Sequence, residues 1–252
     1  MIPKIIHYCW ISGDPFPEKI QKCVDSWKKY LPDYEIVVWD YEKVHALNVR
    51  WCEEAMACKK YAFVADYVRF YALYNYGGIY LDSDVEVLKP FDNLLQLKYF
   101  VGKERDSRGG WEAAILGAEK GVKWIKRCLN HYWGRSFTNM FGELRTIELP
   151  LIMKQTLESH FLIKECNSIQ EWQDSSKVIN RFPDDWFSPK HWDTLEIKVT
   201  DNTYCIHHFS ASWKSIQQVS PHLRLDQCFW IRVRPLGSKI KHILFPNRYL
   251  HK

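Results

Sequence analysis

The chain has 252 residues, 46% of them hydrophobic and 26% charged, and a formal net charge of +5. Such a chain can bury a substantial core, as one large domain or as a domain with an appendage, and its balance is that of an ordinary globular protein. With no run of about 18 apolar residues and no basic stretch leading into an apolar one after Met1, neither a transmembrane helix nor a signal peptide is expected.

Residues 4–11 predict a first strand. Pro17 opens a predicted helix through Tyr30, with Ile20, Val24 and Trp27 at helical spacing, and residues 34–40 predict a second strand. Residues 51–76 carry one continuous helical pattern, in which Phe63, Tyr67, Phe70 and Tyr74 share a face and Gly77 is placed to end it. A strand over 79–81 follows directly. Further strands are predicted at 98–102, 113–117, 177–181, 196–199 and 204–208, with helices near 121–133 and 146–159. This alternation predicts an α/β fold, a mainly parallel sheet flanked by helices, with ligands bound beyond the carboxyl ends of the strands.

The eight cysteines form no CxxC pair, and several sit inside apolar runs. They are expected to be reduced core thiols of a cytoplasmic protein. From His222 to Lys252, seven basic residues stand against Asp226 alone, so this segment carries +6 and the rest of the chain is near −1. Residues 1–222 therefore read as the main domain and 223–252 as a basic amphipathic segment. In that segment Phe229, Trp230, Ile240, Ile243 and Phe245 interleave with the cations, a pattern suited to an anionic membrane surface or to a terminal helix with a solvated basic face. Nucleic acid is not an expected partner, because the basic character is confined to this segment.

The chemistry concentrates in "YGGIYLDSDVEVLKPF", residues 76–91. Asp82 and Asp84 follow the predicted strand directly, and side chains two apart on an extended chain point the same way. Two carboxylates so placed repel unless a cation lies between them, and a hard divalent ion takes oxygen ligands. Two solvated aspartates in a polar turn give the same triplet. Just upstream, Asp66 and Arg69 stand three apart on the predicted helix, hence on one face. That pair is either a surface ion pair or a donor and acceptor set for phosphate and sugar hydroxyls. Near the other end, "TYCIHHFSASW" places His207 and His208 at a strand end, where one imidazole could complete an oxygen-rich metal site.

Three segments, "IPKIIHYCWISGDPFPEKIQKCVDSWKKYLPDYEIVVWD", "KKYAFVADYVRFYALYNYGGIYLDSDVEVLKPFDNL" and "IHHFSASW", resemble the bacterial polysaccharide-type sugar transferases of glycosyltransferase family 32. That family carries a DXD sugar-binding motif and includes yeast initiating mannosyltransferases, and its active site is similar to that of the large clostridial glucosylating toxins. The match is nearly continuous over residues 2–95 and weak over 103–200. It implies a GT-A type, Rossmann-like fold. It also implies a nucleotide-sugar donor, a UDP-sugar favoured over GDP-mannose, whose diphosphate is bridged by Mn²⁺ or Mg²⁺.

By match to the motif, Asp84 would ligate the metal and Asp82 would touch the ribose and the metal shell, with Tyr80 and Ser83 around them. Asp66 and Arg69 would hold donor sugar hydroxyls. Trp10 would stack on the base with Ile11 beside it, although "WISG" here replaces the related "WIGG". His208 would reach the metal, and Ser212 and Trp213 would close over the diphosphate; whether His207 or His208 faces the metal is a question of strand parity. The resemblance further suggests retention of anomeric configuration, a saccharide or lipid-linked saccharide acceptor, a role in capsular or lipopolysaccharide assembly, and a place on the inner membrane face. Glu143, Asp184 and Asp185 are acidic candidates for the acceptor side.

Two other readings share the triplet. "IYLDSDVEV" also resembles the haloacid dehalogenase pattern, which would make Asp82 a phosphatase nucleophile with Mg²⁺. A non-catalytic carbohydrate-binding domain would use the 12 Trp and 14 Tyr as stacking surfaces.

Overall fold

A computed structural model describes residues 1–105, 110–191 and 193–210. The chain opens as strand β1 (Ile5–Cys9), helix α1 (Glu18–Tyr30) and strand β2 (Glu35–Trp39). In α1, Ile20, Cys23, Val24 and Trp27 bury one face, Glu18 stands in the first turn and Lys28 and Lys29 in the last, the charge order that the helix dipole favours. A short helix α2 (Tyr41–Ala46), absent from the sequence reading, starts where the Asp40 carboxylate accepts from the Lys43 backbone N–H at 2.9 Å.

The single helix expected over 51–76 is two, α3 (Arg50–Ala57) and α4 (Tyr61–Tyr76). The break is at Lys59, whose φ is +54°, and the backbone N–H groups of Lys59 and Lys60 turn back to the carbonyls of Met56 and Ala55 at 2.9 and 2.8 Å. These are the two bonds of a Schellman end, made here by a lysine where glycine is the usual signal. Gly77, at φ +73°, ends α4 as expected, and β3 (Gly78–Leu81) follows at once.

Next come β4 (Val85–Val87), β5 (Tyr99–Val101), β6 (Ile115–Ala118), α5 (Lys123–Asn130) and α6 (Leu149–Glu158), then β7 (Leu162–Glu165), β8 (Val178–Arg181), α7 (Asp184–Phe187) and β9 (Cys205–His207). The strand expected at 196–199 is not formed; Ile197 makes only an isolated bridge to Lys190. The strands β4 and β7 were not expected; β4 has only three residues, and β7 is largely exposed with no apolar alternation.

The main sheet has the order β2-β1-β3-β6-β5. β1 pairs in parallel with β2 and β3, while β6 runs antiparallel to both β3 and β5, so four of the five strands share one direction. This is the α/β, mainly parallel arrangement expected for the GT-A type. Tyr80 faces a core shared with α3 to α6, whereas Ile79 and Leu81 face the core under α1, as alternation along a strand requires. Both faces are thus covered, and the chain leaves β3 at its carboxyl end directly into Asp82.

No described helix is long and apolar enough to cross a membrane. No disulfide links the seven described cysteines to one another. Ser212, Trp213 and the basic segment 223–252 lie outside the described residues.

Candidate metal and donor site

Past β3 the strand pairing continues for one residue, with the Asp82 N–H donating to the Ala114 carbonyl at 2.8 Å. A tight turn then returns the chain into β4, closed by the Val85 N–H on the Asp82 carbonyl at 3.0 Å. Trp27 of α1 holds this return by donating its indole N–H to the Val85 carbonyl at 2.7 Å. β4 pairs antiparallel with β9, and the register sets Val85 opposite His207.

That register settles the parity. His207 Nε2 lies 3.6 Å from Asp84 Oδ1, while His208 points away and places Nε2 2.8 Å from Glu86 Oε2. His208, expected to reach the metal, is therefore replaced at that place by His207. The Asp84 backbone carbonyl accepts from the His208 N–H at 3.1 Å, and its carboxylate accepts from the Ser210 N–H at 2.7 Å.

Asp82, Asp84 and His207 each offer a ligand atom, and these atoms all lie within 4.8 Å of one another. The donor set fits a hard divalent cation: two carboxylates supply anionic oxygen, and one imidazole nitrogen suits Mn²⁺ better than Mg²⁺. The other ring nitrogen of His207 lies 3.4 Å from Glu112 Oε1, at ion-pair distance but without an aligned hydrogen bond. A carboxylate on the far side of a ligating histidine fixes its ring and tautomer.

Glu112 was missed by sequence reasoning. It is 1% exposed, and its signal was present: a lone acid inside the apolar run "WEAAILGA". Burial alone would raise its pKa, but His207 and the Ala114 N–H outweigh burial and hold it below the ordinary carboxylate value. For His207, burial works to lower the pKa, and the carboxylates of Glu112 and Asp84 overcome it and push it up to about 10. Without a cation, then, an imidazolium balances these acids.

Asp66 and Arg69 are 8% and 3% exposed, so the pair is not a surface one. Arg69 Nη2 donates to Asp66 Oδ1 at 3.0 Å and lies 3.3 Å from Asp82 Oδ1, and its guanidinium sits 4.6 Å from the centre of the Tyr80 ring. The Tyr80 hydroxyl donates to Asp82 Oδ1 at 3.0 Å. Burial pushes the Asp66 carboxyl up to about 7 despite Arg69, and raises Asp82 as well. Burial opposes the Arg69 charge, yet Asp82, Tyr80 and Asp66 hold its pKa above the ordinary value. The fully buried Tyr80 supports Arg69 and Asp82 from beneath, a different place from the donor contact expected of it.

Ser83 is half-buried in the turn between the two aspartates. Trp10 is half-buried at the end of β1, edge-on to Phe16 with ring centres 4.7 Å apart, and its indole N–H donates to the Asp14 carbonyl at 2.7 Å. The Ile11 side chain is 5% exposed and belongs to the core, which leaves only its backbone for a donor contact. The acceptor-side candidates are engaged elsewhere: Glu143 accepts from Asn139 Nδ2 at 2.7 Å, Asp185 accepts from the Thr200 hydroxyl at 2.7 Å, and Asp184 opens α7.

Residues 17–101 match the family described as the glycosyltransferase sugar-binding region containing DXD motif. Over 124 residues the chain is 37% identical to inositol phosphoceramide mannosyltransferase 3 of Schizosaccharomyces pombe, covering 48% of this chain and 34% of that protein. Over 169 residues it is 28% identical to mannosyl phosphorylinositol ceramide synthase SUR1 of Saccharomyces cerevisiae, covering 62% of this chain and 42% of that one. The chain thus spans less than half the length of these curated relatives. A solved structure, the PaToxG glycosyltransferase, aligns over 63% of this chain and 69% of its own with a TM-score of 0.46 at 22% identity.

Proposed function

We propose that this chain is a metal-dependent glycosyltransferase that moves a hexose from a nucleoside-diphosphate sugar to a hydroxyl of a saccharide or lipid-borne polyol. The observation that carries this reading is the convergence of Asp82, Asp84 and His207 beside the buried Asp66–Arg69 pair, at the carboxyl end of a strand in a mainly parallel sheet. The match of residues 17–101 to the DXD family supports it.

A divalent cation held by Asp82, Asp84 and His207 would supply positive charge for the departing diphosphate without proton transfer. The protein's own residues supply position. Arg69 and Tyr80 fix the Asp82 carboxylate, the Ser210 N–H fixes Asp84, and Glu112 orients the His207 ring. Asp66 would accept from a donor sugar hydroxyl, held in place by Arg69, whose own N–H groups go to Ala65, Asp66, Asp82 and Ala113, so that binding energy is spent on holding the anomeric carbon against the acceptor. The buried setting strengthens these contacts relative to water.

The two fungal relatives are, by name, an inositol phosphoceramide mannosyltransferase and a mannosyl phosphorylinositol ceramide synthase. On that likeness we include the polyol headgroups of membrane lipids beside surface polysaccharide as acceptors, and a mannosyl donor beside the UDP-sugars. The phosphatase reading requires Asp82 free to attack phosphorus, whereas here both its oxygens are held by Arg69 and Tyr80.

The test is hydrolysis and transfer from UDP- and GDP-linked hexoses, with and without Mn²⁺, by the wild type and Asp84→Asn. At least about a hundredfold loss of metal-dependent turnover is expected with the melting temperature retained. Equal turnover in the variant would sink the metal assignment.

A further inference from the structure

Four large apolar side chains that are exposed by half or more fall in the stretch between α5 and α6. Trp133, Met140, Phe141 and Ile147 are 84%, 80%, 78% and 50% exposed. Two of them occupy the tip of a hairpin. The Arg145 N–H donates to the Phe137 carbonyl at 2.8 Å, Thr138 pairs with Leu144, and the Asn139 N–H donates to the Glu143 carbonyl at 2.9 Å. The Gly142 N–H donates to the Asn139 carbonyl at 3.1 Å, closing a turn with Met140 and Phe141 at its two central positions. Asn139 Oδ1 accepts from the N–H groups of Phe141 and Glu143, each at 2.9 Å.

The tip is therefore built and anchored. Phe137 is fully buried, with its ring centre 5.1 Å from Trp51 and 5.2 Å from Phe63. Both the N–H and the hydroxyl of Thr138 donate at 3.0 Å to Glu54, itself fully buried in α3. Tyr132 packs on the same Trp51 at 5.0 Å, so the exposed Trp133 next to it leaves from the same anchor. Turn centres ordinarily carry Gly, Asn, Asp, Ser or Pro. A scaffold that locks a Met–Phe pair outward instead presents apolar surface to something other than water.

We propose that the hairpin 137–145, together with Trp133, inserts into a lipid bilayer. Met140 and Phe141 enter the acyl boundary, the Trp133 indole lies at headgroup depth, and Arg135 and Arg145 reach lipid phosphates. Both arginines are exposed and flank the turn, and neither has an ion-pair partner among the described residues. The occupant follows from shape and charge: a fluid acyl layer closes around a convex tip without a matching pocket, and the two flanking cations suit anionic headgroups. This contact lies outside the transfer site and adds to it a route to a lipid-borne acceptor.

The experiment is flotation of the full chain with vesicles of phosphatidylcholine and phosphatidylserine, which requires no turnover and so is decided apart from the transferase reading. The variants are Met140→Ser/Phe141→Ser and Arg135→Gln/Arg145→Gln, all at exposed positions. The apolar pair is expected to weaken partition by about tenfold or more, a loss that persists at high salt because it is not electrostatic. The arginine pair is expected to weaken it less, and only at low salt. Melting temperature and nucleotide-sugar hydrolysis should stay at wild-type values. Equal partition of wild type and M140S/F141S overturns the proposal, including the case in which removal of 223–252 alone abolishes binding. Loss of self-association in M140S/F141S by light scattering, with vesicle binding unchanged, overturns it in favour of a contact between copies.

Discussion

The two aspartates of the DXD triplet are two positions apart and are held by different means, Asp82 by a buried guanidinium and a phenol, Asp84 by a backbone N–H. His207 stands between Asp84 and Glu112, and its neighbour His208 belongs to Glu86. Glu112→Gln is expected to weaken Mn²⁺ binding by about 10- to 100-fold, and His207→Asn by at least as much. His208→Asn should leave it within about threefold; titration calorimetry with Mn²⁺ separates the three, and equal losses for both histidines would refute the assignment. The pH behaviour follows from the same group. A pKa raised in the folded state to about 10 means that the metal-free protein holds a proton which the unfolded chain releases above its ordinary value of 6.5. That stabilisation is complete below 6.5 and is lost as pH rises through about 10. In a chelator, the melting temperature should fall over that window in the wild type and show a flatter profile in His207→Asn. Because a cation must displace that proton, the apparent Mn²⁺ affinity should tighten as pH rises, by up to about tenfold per unit.

At the scale of elements, the site depends on how closely β1 and β3 approach. Gly78 opens β3 at φ +104°, and a Cβ placed there would lie 2.6 Å from the Ile5 backbone carbonyl. Gly78→Ala therefore meets both an unfavourable backbone angle and a contact that only a shift of β1 against β3 relieves, for a cost of about 3 kcal/mol. Urea unfolding with an unchanged m-value checks it, and a cost below about 1 kcal/mol would show that the strands yield. The α3–α4 break serves the site in a related way. It lets α4 start afresh at Tyr61, so that Asp66 and Arg69 face Asp82 while Glu54 of α3 faces the hairpin at Thr138.

For the whole molecule, a ligand bound only by the folded chain raises its melting temperature. A matching nucleoside-diphosphate hexose with Mn²⁺ at a hundred times its Kd should add about 2.7 kcal/mol, or about 5–10 °C for a chain of this size. Chelation of the metal should remove that shift. A shift of the same size in chelator would mean that the nucleotide binds without the Asp82–Asp84–His207 cluster.

Those parts of the site that rest on neighbours in the chain were readable from it. Asp82 and Asp84 past a strand end and Asp66 and Arg69 on one helical face follow from local patterns that any single sequence displays, and Gly77 as a helix stop follows from glycine's access to positive φ, although the two aspartates meet through a tight turn and not through strand alternation. The break at Lys59 was hidden because a lysine occupies the left-handed position where glycine would have announced it. The choice of His207, the recruitment of Glu112 and the N–H that Ser210 gives to Asp84 across 126 positions belong to another kind of information. They depend on which strand lies beside which, and in what register; a slip of β9 by one residue would exchange the two histidines. Burial of Val85, Val87 and Cys205 in one core decides which face of β9 turns inward, and burial is a property of the assembled layers.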